Sequence, residues 1–132
     1  MAAVLLVEDV PVVRMTLLKF LERGGHVVTV CSGGAEAWSR LDKNRFDVVV
    51  TDLWMMNGDG LELIRRMRTK GELTPVIAIT GGDPRSSQST SVDVALRIGA
   101  NQALSKPVTK AELLETIRKC IGLEEQAPER MV

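Results

Sequence analysis

Five residues in this chain carry groups that could do chemistry together: the paired acids Glu8 and Asp9, the single acid Asp52, the hydroxyl of Thr80 and the amine of Lys106. Each closes or directly follows a short apolar run, in "LLVED", "VVVTD", "VIAIT" and "ALSK". An ionised carboxylate at the end of a wholly apolar segment costs several kcal/mol unless a partner compensates it. Drawing three carboxylates together adds repulsion, about 4 kcal/mol for two unit charges about 4 Å apart at an effective dielectric of about 20. Lys106 offsets part of that charge, and the remainder asks for a cation. An all-oxygen set of two or three acids suits a hard divalent ion, and magnesium, which keeps several waters, also clamps phosphate oxygens. The chemistry indicated is phosphoryl transfer: a carboxylate serves as nucleophile and forms an acyl phosphate while metal and lysine take up the charge on the phosphoryl oxygens. Asp52 is the best-placed nucleophile, because it ends a central strand with Glu8-Asp9 expected on one neighbouring strand and Thr80 on the other.

These groups meet only if the chain sets the ends of its apolar runs side by side. β-branched runs occur at Val4 to Val7, Val27 to Val30, Phe46 to Thr51 and Val76 to Thr80, with a weaker one at Gln102 to Leu104. Helical patterns lie between them. The first starts at Pro11, buries Val13, Leu17, Phe20 and Leu21, and stops at Gly24-Gly25. The next three cover about Ala35 to Leu41, Leu61 to Arg68 and Ser91 to Ile98. The last opens on a capping box of Thr109 and Glu112, carries the stripe Leu113, Leu114, Ile117 and Ile121, and is expected to end at Gly122. Five βα units with strands apolar on both faces predict an α/β fold with a doubly wound parallel five-stranded sheet, helices on both faces. In such a sheet the ligand crevice lies beyond the carboxyl ends of the strands, where four of the five runs end in a functional group.

The totals bound the rest. A chain of 132 residues predicts one domain, assigned here to residues 1–122, with "LEEQAPERMV" over 123–132 as a disordered or frayed tail and no room for a second unit. Lysine plus arginine and aspartate plus glutamate number 17 each, so no global field draws the chain to nucleic acid or an anionic membrane. Cys31 and Cys120 are too few for a disulfide framework or a zinc site and read as packed, reduced thiols. The one apolar run near the start is interrupted by Glu8 and Asp9, which predicts neither a signal peptide nor a spanning helix and, by default, a cytoplasmic location.

Taken in order, "LLVEDV", "VVVTDLWM", "VIAIT" and "GANQALSKP", with "GGHVVTVCSGGAEAW" between the first two, resemble the receiver domain of two-component response regulators over about residues 3 to 121. The resemblance implies a flavodoxin-like (βα)5 fold with strand order 2-1-3-4-5. It implies a phosphoacceptor signalling unit rather than an enzyme, in which Asp52 takes a phosphoryl group from the phosphohistidine of a partner histidine kinase or histidine phosphotransferase. The product would be hydrolysed slowly. By the same resemblance Glu8, Asp9 and Asp52, with the backbone carbonyl of Trp54, would hold Mg²⁺, or Mn²⁺ in its place. Thr80 would close onto a phosphoryl oxygen, Lys106 would pair with the phosphate, and the Lys106-Pro107 bond would be cis. With no DNA-binding or enzymatic module in the chain, output would pass by protein contact to a downstream protein that the sequence does not name.

Some positions depart from the family pattern. Ala103 stands where an aromatic is common, Val108 where phenylalanine often follows Lys-Pro, and Met56 where proline is expected. Signal transmission through a turning ring is therefore not open to this chain, though the phosphorylation chemistry does not depend on it. "GGDPRSSQSTS", residues 81–91, is longer than usual and reads as a mobile loop beside the site. His26, the only histidine, reads as a turn residue, and Gly58-Asp59-Gly60 as a turn into the third helix. Trp54 is read as a shield for the acyl phosphate or as an exposed aromatic contact, and Met55 and Met56 as loop packing.

Three other readings compete. A haloacid-dehalogenase-type phosphatase needs a second Asp two residues after the nucleophile, where this chain has Trp54. A flavodoxin-like flavin binder would bring a phosphate to an acidic crevice that repels it. A receiver-like scaffold acting without phosphorylation draws on the missing switch aromatic at Ala103.

Overall fold

The computed structural model describes residues 1–55, 60–81 and 88–130, and at 88–91 and 123–130 the backbone alone. Ten elements alternate along it: β1 (Ala3–Val7), α1 (Pro11–Arg23), β2 (Val27–Cys31), α2 (Gly34–Lys43), β3 (Val48–Asp52), α3 (Gly60–Thr69), β4 (Val76–Thr80), α4 (Gln88–Ile98), β5 (Gln102–Ser105) and α5 (Lys110–Arg130). The strands form one parallel sheet in the order β2-β1-β3-β4-β5, the doubly wound arrangement expected.

Side chains alternate across a strand, so a strand covered on both faces must be apolar at every position. β3 and β4, buried throughout, keep that pattern up to their polar last residues, and β1 is buried over nearly all its length, whereas the edge strands β2 and β5 are partly exposed. The alternation divides the core in two. Val4, Leu6, Val48, Val50, Ile77 and Ile79 face Leu17 and Leu21 of α1 and Leu113 and Ile117 of α5. Leu5, Val7, Val49, Val76 and Ala78 face the layer carrying Ala37, Leu41, Leu63, Ile64, Met67 and Ala95 from α2, α3 and α4.

Local signals set several boundaries. Pro11 takes the start of α1, and Gly25, with φ of 85°, turns the chain toward β2. The capping box closes as the sequence predicts. Thr109 N–H donates to Glu112 Oε1 at 3.1 Å, and Glu112 N–H donates to Thr109 Oγ1 at 3.1 Å. The Lys106-Pro107 bond is cis.

Two boundaries differ from those expected. The backbone of α5 does not stop at Gly122 but continues to Arg130. A glycine inside a helix costs only about 1 kcal/mol against alanine, and the residues that follow, Leu-Glu-Glu-Gln-Ala, are good helix formers. The tail assigned to 123–132 overlaps this stretch, and 131–132 lie outside the described residues. Helix α4 begins at Gln88 rather than near Ser91, so the end of the 81–91 segment is helix rather than loop. Residues 82–87, Met56 and Gly58-Asp59 lie outside the described residues.

Candidate functional site

Parallel register decides which groups meet. Val7 is the partner of both Thr51 and Cys31, Asp52 of Ile79, and Thr80 of Ser105. Glu8, Asp52, Thr80 and Lys106 therefore leave the sheet at one level. The last residues of the strands also continue the ladder: Glu8 N–H donates to Cys31 O at 3.0 Å, Leu53 N–H to Ile79 O at 2.9 Å, and Lys106 N–H to Thr80 O at 2.8 Å.

At that edge Glu8, Asp9 and Asp52 bring one carboxylate oxygen each within 4.8 Å of one another. Lys106 Nζ lies 3.0 Å from Asp52 Oδ2 and 3.5 Å from Glu8 Oε1. The second oxygen of Asp52, Oδ1, accepts the Trp54 main-chain N–H at 3.3 Å. Asp52 is 3% exposed and Glu8 0%. The 3.5 Å approach of Lys106 is an ion-pair distance, too long for a good hydrogen bond, and neither Glu8 oxygen has a hydrogen-bond partner among the described residues.

Electrostatics follow from this crowding. Burial, then the proton that Glu8 would share with the adjacent Asp52 carboxylate and the negative charge of that group, push the Glu8 carboxyl up to about 8 against the pull of Lys106. Burial alone would lower Lys106, but its hydrogen bond to Asp52 and the charges of Asp52 and Glu8 outweigh that and raise it. A buried carboxyl whose oxygens have no hydrogen-bond partner among the described residues has lone pairs to offer a cation, and three acids at this spacing are an oxygen set of the kind that takes magnesium. The donor set fits the ion that the sequence implies.

The remaining expected residues take these positions. Thr80 is fully buried at the end of β4, with its hydroxyl directed at Leu104 O, 3.4 Å away. Trp54 is half-buried and, with Met55, packs against the α2–α3–α4 side of the core, so it is not a freely exposed contact. Ala103 packs against the same side and Val108 against the other. Cys31 and Cys120 are free thiols, the first buried and the second half-buried. His26 does more than turn the chain: its Nδ1 accepts Ala2 N–H at 3.1 Å, and burial, with the nearby N-terminal charge, lowers its pKa. Sequence reasoning missed Arg14, whose guanidinium donates to Glu8 O at 3.0 Å and ties α1 to the acid turn. Its only signal was a basic residue one helical turn into a stripe otherwise apolar.

The response regulator receiver domain family matches residues 4–118. Response regulator MprA of Mycobacterium sp. (strain KMS) is 35% identical over 115 residues, which are 87% of this chain. The chain spans about half, 48%, of that relative's length. A 14.6 kDa protein in the sodA1 3' region of Leptolyngbya boryana is 36% identical over 127 residues, 94% of each chain. Among solved structures, the receiver domain of the Francisella response regulator 1452 superposes with a TM-score of 0.84 at 27% identity, covering 94% of this chain and 99% of that one. The receiver domain of sensor histidine kinase PA1611 from Pseudomonas aeruginosa PAO1, solved with a magnesium ion coordinated in its active site cleft, gives a TM-score of 0.81 at 29% identity, covering 92% and 98%. Among the described residues no helix is long and apolar enough to cross a membrane. With its fold, its acid cluster and these relatives in agreement, the chain belongs to the response regulator receiver domain family of two-component systems.

Proposed function

We propose that residues 1–122 form a cytoplasmic phosphoacceptor unit in which Asp52 takes a phosphoryl group from the phosphohistidine of a histidine kinase or histidine phosphotransferase. The observation that carries this reading is the setting of Asp52: a buried carboxylate 3.0 Å from Lys106 Nζ and grouped with Glu8 and Asp9, the former with no hydrogen-bond partner for either oxygen among the described residues. In the step, a carboxylate oxygen of Asp52 forms the new P–O bond as the donor's P–N bond breaks. The electron pair stays on the imidazole nitrogen, which takes up a proton. Lys106 neutralises charge on the transferred oxygens, and the Thr80 hydroxyl leaves Leu104 O to donate to one of them. Glu8, Asp9, Asp52 and the Trp54 carbonyl would hold Mg²⁺, or Mn²⁺, which when bound supplies positive charge to the phosphoryl oxygens.

The donor protein seats beside the site. A mainly apolar groove of about 380 Å³ is lined by Val12, Val13, Thr16, Leu17, Ile79, Pro107 and Val108 and by Lys106, and Met15 of α1 is exposed as Val12 is. Output passes to a downstream protein by contact.

Incubation with a small acyl phosphodonor and Mg²⁺, followed by intact mass, is expected to add one phosphate, and Asp52→Asn to abolish the gain. No adduct under any condition would overturn the reading in favour of a scaffold that binds without phosphorylation. Rapid turnover of many phosphoesters would overturn it in favour of a phosphatase.

A further inference from the structure

Two residues outside the acid cluster bear on the same carboxylate from the backbone side. The fully buried Thr51 hydroxyl donates to the main-chain carbonyl oxygen of Asp52 at 2.9 Å. Against that oxygen also lies Gly60, the buried first residue of α3. A Cβ at position 60 would fall 1.9 Å from Asp52 O, 2.9 Å from Asp52 C and 3.0 Å from Thr51 Oγ1.

Gly60 is not one of the glycines with positive φ, so its bare Cα serves close approach rather than an unusual backbone conformation. The two nearest atoms it would meet, Asp52 O and C, are main-chain atoms of a central strand, held by Leu53 N–H to Ile79 O at 2.9 Å, and they have no rotamer by which to swing aside. Leu61 N–H donates back to Leu53 O at 3.3 Å and secures the same return of the chain. Asp52 points its carboxylate from a Cα one bond away from this carbonyl.

We propose that Thr51 and Gly60 are positioning residues for phosphoryl acceptance: they clamp the Asp52 carbonyl between a hydroxyl and a bare Cα, and so hold its carboxylate in register with Glu8, Asp9 and Lys106. The inference rests on Asp52 being the phosphoacceptor. A side chain at 60 must be relieved by about 1 Å between the strand end and the start of α3, and a misplacement of that size reaching the Asp52 carboxylate costs about 100-fold in rate.

The test follows phosphate incorporation over time at saturating Mg²⁺ and acyl phosphodonor in the wild type, Asp52→Asn, Thr51→Val, Gly60→Ala and Gly122→Ala. The last adds the same methyl where the nearest atom it meets is Arg118 Cγ at an ordinary 3.6 Å. The clamp predicts a rate constant about 100-fold lower in Gly60→Ala, a smaller loss in Thr51→Val, and none in Gly122→Ala. A purely structural role would instead reduce the fraction of molecules that take up phosphate, and the melting temperature, leaving the rate constant of the folded fraction intact. That result overturns the clamp, as do wild-type rate constants in both variants. Should Gly60→Ala not fold, Thr51→Val, which exchanges a hydroxyl for a methyl of similar shape, decides alone. No uptake by the wild type sinks the phosphoacceptor reading and the clamp with it, whereas uptake by the wild type with unchanged variants sinks the clamp only.

Discussion

Arg68 and Glu8 are ionisable groups drawn into the molecule at opposite ends of the sheet, and their surroundings differ in kind. Arg68, half-buried at the end where strands begin, donates through Nε to Gly99 O at 3.0 Å. One terminal nitrogen reaches Glu72 O at 2.6 Å and Thr74 O at 3.1 Å, and the other reaches Asn101 Oδ1 at 3.0 Å. That Asn101 oxygen also accepts Val76 N–H at 2.9 Å, so the cation is tied to the first residue of β4. Glu8, at the end where strands finish, has no hydrogen-bond partner for either oxygen among the described residues. A cation with four of its five N–H donors engaged inside the chain has little left to offer a ligand. A buried carboxyl without hydrogen-bond partners holds its proton until a cation from outside replaces it, and its charged form costs the fold until then.

Arg68→Met removes a donor set shared by four acceptors and is expected to lower the unfolding free energy by about 3 kcal/mol, read by urea denaturation. Magnesium affinity and the phosphorylation rate constant of the folded molecules should not change. Loss of either in a variant that still folds would mean that the two ends are coupled.

Glu8 gives the next effect, with the opposite sign. Its pKa stands near 8 in the folded chain against an ordinary 4.5, so the fold binds its proton more tightly than the unfolded chain does. The resulting stabilisation is complete below pH 4.5 and is lost as pH rises through about 8. In chelator, the unfolding free energy should fall across that window by a few kcal/mol, since each tenfold difference in proton affinity between the folded and unfolded chain is worth about 1.4 kcal/mol. Glu8→Gln should flatten this pH dependence, and so should saturating Mg²⁺ with the native residue. The same variant should weaken Mg²⁺ at least about tenfold. A native chain with flat stability from about pH 5 to 9 in chelator would remove the contrast with Arg68.

What could be read from the sequence follows the same division. The ends of β1, β3, β4 and β5 were legible because a β-branched run followed by an acid, a hydroxyl or a lysine breaks the apolar rule within a few residues. The capping box of α5 is legible for the same reason, since Thr109 and Glu112 are three apart. The Arg68 tie was not, because its acceptors Gly99 and Asn101 lie 31 and 33 residues away and only the folded register brings them near. Gly60 reads as one more turn glycine until Asp52 O is found against its Cα. The continuation of α5 past Gly122 was hidden because a helix without an apolar stripe leaves no periodicity to detect.

The smallest effect separates the two tryptophans, both half-buried against the same side of the core. Trp38 is covered by the Arg66 guanidinium, 4.5 Å from the ring centroid, away from the acids. Trp54 follows Asp52 by two residues, and its tie to Oδ1 runs through the main chain, which survives substitution. Trp54→Ala therefore leaves the nucleophile's hydrogen bond in place and removes only the ring. If the ring keeps water from the acyl phosphate, the phosphorylated chain should lose its phosphate severalfold faster, short of the tenfold that about 1.4 kcal/mol of barrier represents. Trp38→Ala should cost stability and leave that decay unchanged. Equal decay rates in the two variants, measured by intact mass after donor removal, would assign Trp54 to packing alone and leave the site's water exclusion to the other residues around Asp52.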